Sequence, residues 1–91
     1  MSQHPDWFRS ADAAILDHLS DERPTYAPLV ANRLGMPTDY ARERIDRLVE
    51  RGLVEPVTAE TVYRITERGE RRLAAYTEQE GAPEPGLVAG N

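Results

Sequence analysis

Ninety-one residues with 40% hydrophobic content make one small domain, whose core is only marginally stable alone and would gain from dimerisation. Cysteine is absent, which excludes disulfides and thiolate metal sites, and no apolar run nears the roughly 20 residues that span a bilayer. The formal net charge of −5 points, taken alone, away from polyanionic partners.

The first residues, Met-Ser-Gln-His-Pro-Asp, lack the basic and apolar blocks of a signal peptide, so a soluble cytoplasmic protein is the expectation. Residues 1–9 read as an N-terminal arm. Asp6-Trp7-Phe8-Arg9 leads into a helix that Ser10 can cap, with Asp12 favourable in its first turn. Ala14, Ile15, Leu16 and Leu19 supply its apolar stripe as far as Ser20. Asp21-Glu-Arg-Pro24 breaks it. A short second helix follows over Tyr26–Leu34, with Thr25 as its cap and Pro28 tolerable in its first turn. Leu29, Val30 and Leu34 face inward.

Gly35 suits the left-handed position that ends a helix, and Met36-Pro37 makes a tight turn. The third helix, Thr38–Arg51, puts Ala41, Ile45, Leu48 and Val49 on one side at spacings of three and four, and Gly52 ends it. Val54–Val57 and Val62–Ile65 flank a turn and read as a β-hairpin with Tyr63 and Ile65 on the core face. Thr66 caps a fourth helix running to about Thr77, marked by Leu73, Ala74 and Tyr76. Residues 78–91 read as a flexible acidic Pro/Gly tail. The sum is a mainly α domain over residues 10–77 with a small β-hairpin. Its order of helix, helix, helix, strand, strand, helix is the plan of a winged helix-turn-helix.

At 100° per residue the third helix has three longitudinal faces. Ala41, Ile45 and Leu48 form the buried one. Asp39, Glu43, Asp46 and Glu50 form an acidic row, and Tyr40, Arg44, Arg47 and Arg51 form a second row one residue on, with Arg42 on the other flank. One reading has the first two turns in a major groove, where Arg donates two bonds to guanine and Glu or Asp accepts from the cytosine amine. That makes Thr38, Asp39, Tyr40, Arg42, Glu43, Arg44 and Arg47 the candidate DNA-contacting residues. The other reading is a solvated helix laced by pairs such as Glu43–Arg47 and Arg42–Asp46. Phosphate contacts are expected from Thr25 and Tyr26 at the start of the second helix, and from the wing residues Thr58, Thr61 and Arg64. The wing tip, Thr58-Ala-Glu-Thr61, holds no arginine and is expected to touch a phosphate at most.

Every one of the eleven basic residues is arginine. An acidic, lysine-free surface fits a chain meant for concentrated salt, where solvated carboxylates keep proteins dispersed; a GC-rich genome with acidic drift is the plainer alternative. Salt also makes sparse basic charge intelligible. With roughly six phosphate contacts, a tenfold rise in salt costs on the order of 10⁵ in affinity, so little is gained in brine from a basic surface.

The run Leu34-Gly-Met-Pro-Thr-Asp-Tyr-Ala-Arg-Glu-Arg-Ile-Asp-Arg-Leu-Val-Glu-Arg-Gly-Leu-Val54, followed by Val62-Tyr-Arg-Ile-Thr-Glu-Arg-Gly69, resembles the winged-helix transcriptional regulators of archaea and bacteria. With Asp6-Trp7 and Asp12-Ala-Ala-Ile-Leu-Asp-His-Leu19 added, it is most similar to small haloarchaeal regulators of the halophage-repressor-like type. The resemblance covers roughly residues 6–76. It implies a homodimeric, sequence-specific double-stranded DNA-binding regulator, expected to be a repressor, with the third helix in the groove. Thr38, Asp39, Tyr40, Arg42 and Glu43 fall where such families contact bases.

No other chemistry stands out. His4 lies near the chain start and His18 reads as a helix-surface or boundary residue, so no metal is expected. There is no Gly-rich phosphate loop and no Ser/His/Asp motif, hence no cofactor, no evident small-molecule ligand and no enzymatic activity. Trp7 and Phe8 read either as core against the first helix and hairpin or as part of a dimer seam with Leu73 and Tyr76. Arg64, Arg68, Arg71 and Arg72 make residues 61–77 locally basic, at +2. A protein–protein interaction module that offers the acidic row of the third helix to a partner, without binding DNA, is the competing function.

Overall fold

The structure, a computed structural model, describes residues 5–21, 24–57 and 62–81. Its elements are α1 (Ser10–Asp21), β1 (Thr25–Tyr26), α2 (Ala27–Leu34), α3 (Thr38–Glu50), β2 (Val54–Pro56), β3 (Val62–Ile65) and α4 (Glu67–Glu80). Thr58 and Thr61 at the wing tip, His4, and the expected tail from residue 82 on lie outside the described residues.

Helix α1 sits at the centre. It packs against α2, α3, β3 and α4, so every residue from Ala11 to Leu16 is buried, and the expected single stripe becomes a helix enclosed on most sides. Alanines at 11, 13 and 14 keep its flanks thin enough for neighbours to close on them. Its start differs from expectation. The amides of Asp12 and Ala13 donate to the Arg9 carbonyl, and the Asp12 carboxylate accepts from the Arg9 N–H at 2.9 Å. Arg9 is therefore the N-cap, not Ser10, with Asp12 reaching back from the third helical position as in a capping box.

The sheet has three strands, in the order β1-β3-β2, rather than two. Thr25 and Tyr26, read as a cap and a first helical residue, pair antiparallel with Tyr63 and Val62. A β-branched residue and an aromatic one favour extended backbone, and β3 offers them an open edge. Tyr26 then serves as the α2 N-cap through its extended backbone, with no side-chain cap bond. On the other side Val54, Glu55 and Pro56 face Ile65, Arg64 and Tyr63. Pro56 has no N–H to give, which an edge strand accommodates.

Thr66 caps α4 as expected, its Oγ1 accepting from the Gly69 N–H at 3.0 Å. Gly69 is a close-approach position: a Cβ there would stand 2.1 Å from the Leu53 carbonyl oxygen and 2.8 Å from Ile65 Cγ1. Helix α4 continues to Glu80, three residues past the expected end at 77, which places Glu78 and Glu80 on a helix. Leu73 and Tyr76 pack on the core, whereas Ala74 is exposed.

Candidate nucleic-acid interface

The α2–turn–α3 unit is built from its punctuation. Gly35, at φ 71, ends α2 in the left-handed region, where other residues are strained. The Met36 N–H closes on the Ala31 carbonyl at 3.0 Å, and the Met36 side chain is buried. Pro37, in extended backbone, precedes α3 and takes the Ala41 N–H on its carbonyl. Ala41, Ile45 and Leu48 are fully buried, and they fix which side of α3 turns outward.

That outer side is an open groove lined by Asp39, Arg42, Glu43, Asp46, Arg47 and Glu50. Thr38, Asp39, Arg42, Glu43 and Asp46 are exposed, Arg47 is half-buried, and Tyr40 is half-buried against the core. The structure therefore brings Asp39, Arg42, Glu43 and Arg47 together on one face, leaves Thr38 and Tyr40 at its margins, and withdraws Arg44. The expected Glu43–Arg47 and Arg42–Asp46 pairs do not form. The single pair within α3 among the described residues is Arg47–Glu50, at 4.0 Å.

Arg44 points the opposite way. It is 4% exposed and bonded to an Asp12 that is wholly buried. Arg44 Nε donates to Asp12 Oδ1 at 2.8 Å, and Nη2 donates to Asp12 Oδ2 at 2.6 Å and to the Trp7 carbonyl at 2.8 Å. The hydrogen bond that Arg44 donates to Asp12 raises the Arg44 pKa above the ordinary arginine range, outweighing the opposing effect of burial. Residue 44 falls in the series 41, 44, 45, 48, which is core spacing, so Arg44 joins α3 to α1 and the arm instead of facing outward. With Arg44 withdrawn, the cations left to α3 and its end are exposed Arg42 and Arg51 and half-buried Arg47, against four carboxylates.

The expected phosphate contacts divide. Thr25 is buried, and its Oγ1 has no hydrogen-bond partner, so it is not presented outward. Tyr26 is 50% exposed at the α2 N-terminus. Arg64 is exposed on β3 and held across the strands by Glu55, Nε and Nη2 meeting one carboxylate oxygen at 3.0 and 2.6 Å. Such an exposed pair is worth little and releases easily.

Phe8 joins the core, and Trp7 is half-buried against it. Phe8 is buried, its ring edge-on to Trp7 at 5.5 Å and tilted to Tyr76 at 6.0 Å, while the Arg51 guanidinium lies 5.1 Å over the Trp7 ring. His18 is half-buried, with Nε2 lacking a hydrogen-bond partner. Among the described residues no three metal-ligating side chains gather, and no helix is long and apolar enough to cross a membrane.

No protein-family model matches the chain, and no curated protein does. Solved structures do. The transcriptional regulator BldR from Sulfolobus solfataricus superposes with a TM-score of 0.73 at 23% identity, over 80% of this chain and 55% of that one. A MarR family transcription regulator gives 0.70 at 28% identity, over 77% and 50%. The PcaV transcriptional regulator from Streptomyces coelicolor, solved with its natural ligand, gives 0.69 at 26%, over 81% and 58%. The chain thus spans about half to three-fifths of the length of the proteins it matches. All three are transcriptional regulators. In fold, the chain is similar to the winged-helix transcriptional regulators of the MarR family.

Proposed function

We propose that this protein binds double-stranded DNA sequence-specifically and regulates transcription, acting as a cytoplasmic homodimeric repressor in a salt-rich interior. The observation that carries the reading is the free outer face of α3. Thr38, Asp39, Arg42 and Glu43 stand exposed on its leading turns while Ala41, Ile45 and Leu48 hold the opposite side in the core. A helix so held lies across the surface at the second position of a helix-turn-helix, the element that enters a major groove in that motif. The likeness to two regulators at 26% and 28% identity supports the same reading.

Base contacts are assigned to Thr38, Asp39, Arg42 and Glu43, with Tyr40 and Arg47 at the flanks. Tyr26 and Arg64 are assigned to phosphates, Arg64 after release from Glu55. The acidic excess is tolerable where salt has already removed most of the gain from counterion release. The halophage-repressor-like resemblance and the arginine-only composition support salt adaptation.

A second reading rests on Asp39, Glu43 and Asp46, which have no ion-pair partner among the described residues. On that reading they meet a protein partner. Selection of random duplexes in molar KCl separates the two. An enriched site whose preference changes with Arg42→Ala supports DNA reading. No enriched motif, together with a partner retained by α3 at the same salt, refutes it.

A further inference from the structure

At the end of α3 remote from its leading turn lies a feature that neither reading uses. Arg68, Arg71, Arg72, Leu53 and Ala75 line an open cleft of about 300 Å³. It adjoins a second hollow of about 180 Å³ lined by Pro5, Trp7, Arg51, Leu53, Arg68 and Arg72. The two share Leu53, Arg68 and Arg72, so four arginines, with Leu53, Ala75, Trp7 and Pro5, line two adjoining hollows.

The charge balance there is unusual for this chain. Sixteen carboxylates outnumber eleven arginines overall. Yet among the described residues Arg51, Arg68 and Arg72 have no carboxylate within ion-pair distance, and Arg71 has only exposed Glu67 at 3.9 Å. Arg68, Arg71 and Arg72 stand at i, i+3 and i+4 on α4, so one helix face carries three guanidinium groups side by side. The guanidinium fork matches tetrahedral and planar oxyanions, and several forks around one recess match a dianion better than a monocarboxylate.

We infer that this recess binds a phosphate dianion, either free or as a phosphate monoester, through Arg68, Arg71 and Arg72, with Arg51 held at its edge by Trp7. A DNA-backbone phosphate shares this chemistry, but Arg51 lies about 20 Å along the helix from Thr38, at 1.5 Å per residue. That distance puts the recess behind the groove-reading end and favours a small ligand.

The test is a titration of the full chain with inorganic phosphate, against KCl at matched ionic strength, following arginine Nε–H and backbone amide signals by NMR. The expected result is saturable shifts at Arg68, Arg71, Arg72 and Leu53, with binding weakened about tenfold or more in Arg71→Gln/Arg72→Gln. The spectrum of the variant reports its fold directly. Shifts that do not saturate, or that spread evenly over all arginines, overturn the inference. A second arm measures the salt dependence of duplex binding in the same variant. If its slope falls by about one per arginine removed and free phosphate fails to saturate, the recess grips the DNA backbone and the small-ligand assignment is wrong. The phosphate arm stands or falls whether or not the chain binds DNA.

Discussion

Replacing Arg44 separates structure from DNA reading more sharply than any other change. Arg44→Met removes the two bonds to Asp12 and the one to the Trp7 carbonyl, leaving a fully buried carboxylate with the Arg9 N–H as its remaining donor. Breaking a buried pair from one side costs about 3–5 kcal/mol. A domain of this size holds roughly 4–10 kcal/mol in total, so the variant sits near the edge of unfolding. The melting temperature should fall by about 15 °C or more. The companion variant Asp12→Leu/Arg44→Met fills the same space with apolar groups and should recover most of that loss, because neither charge is then stranded.

Calorimetry or thermal circular dichroism in molar KCl measures both variants, and duplex binding by the double variant is measured beside them. Buried charges are screened little, so the penalty of the single variant should persist at high salt. The pH dependence follows from the raised Arg44 pKa. A base whose folded pKa lies above its unfolded one contributes fully below the unfolded value and loses that contribution only as pH rises through the folded one. Arg44 titration should therefore leave melting flat between about pH 6 and pH 9. An unchanged melting temperature in Arg44→Met would refute the reasoning. So would a stable double variant that had lost its base preference, since Arg44 would then be acting at the DNA after all.

Three further changes test other parts of the fold. Gly69→Ala forces a Cβ onto the Leu53 carbonyl, which also accepts the Thr66 N–H, and overpacking should cost about 1–3 kcal/mol despite the better helix propensity of alanine; a melting temperature at or above wild type would show that α4 can shift freely. Thr66→Ala removes the α4 cap and should cost about 1 kcal/mol by urea denaturation, whereas Thr66→Asn should restore most of it. Arg64→Ala, breaking an exposed pair with Glu55, should change stability by less than about 1 kcal/mol but lower the salt slope of duplex binding by about one; an unaltered slope removes Arg64 from the phosphate contacts.

The parts of this fold that were legible in the sequence are those governed by local chemistry. Gly35 and Gly52 stop helices because only glycine enters the left-handed region without strain, and Thr66 caps because its hydroxyl reaches an amide three residues on. The third strand was not legible in the same way, because Thr25–Tyr26 become a strand only where β3 presents an edge, and that edge belongs to residues almost forty positions away. Arg44 lies between these cases. Its neighbours Ala41, Ile45 and Leu48 already marked the inward spacing, and Asp12 stood inside the equally apolar run from Ala11 to Leu16. Two charges of opposite sign, each at a core position of its own helix, can be buried only together, since either alone would carry an uncompensated charge into the interior. The two helices therefore specify one another's rotation. The same bond that takes Arg44 away from the groove sets the direction in which Arg42 and Glu43 face, so the outward face of α3 is defined in part by an arginine that does not belong to it.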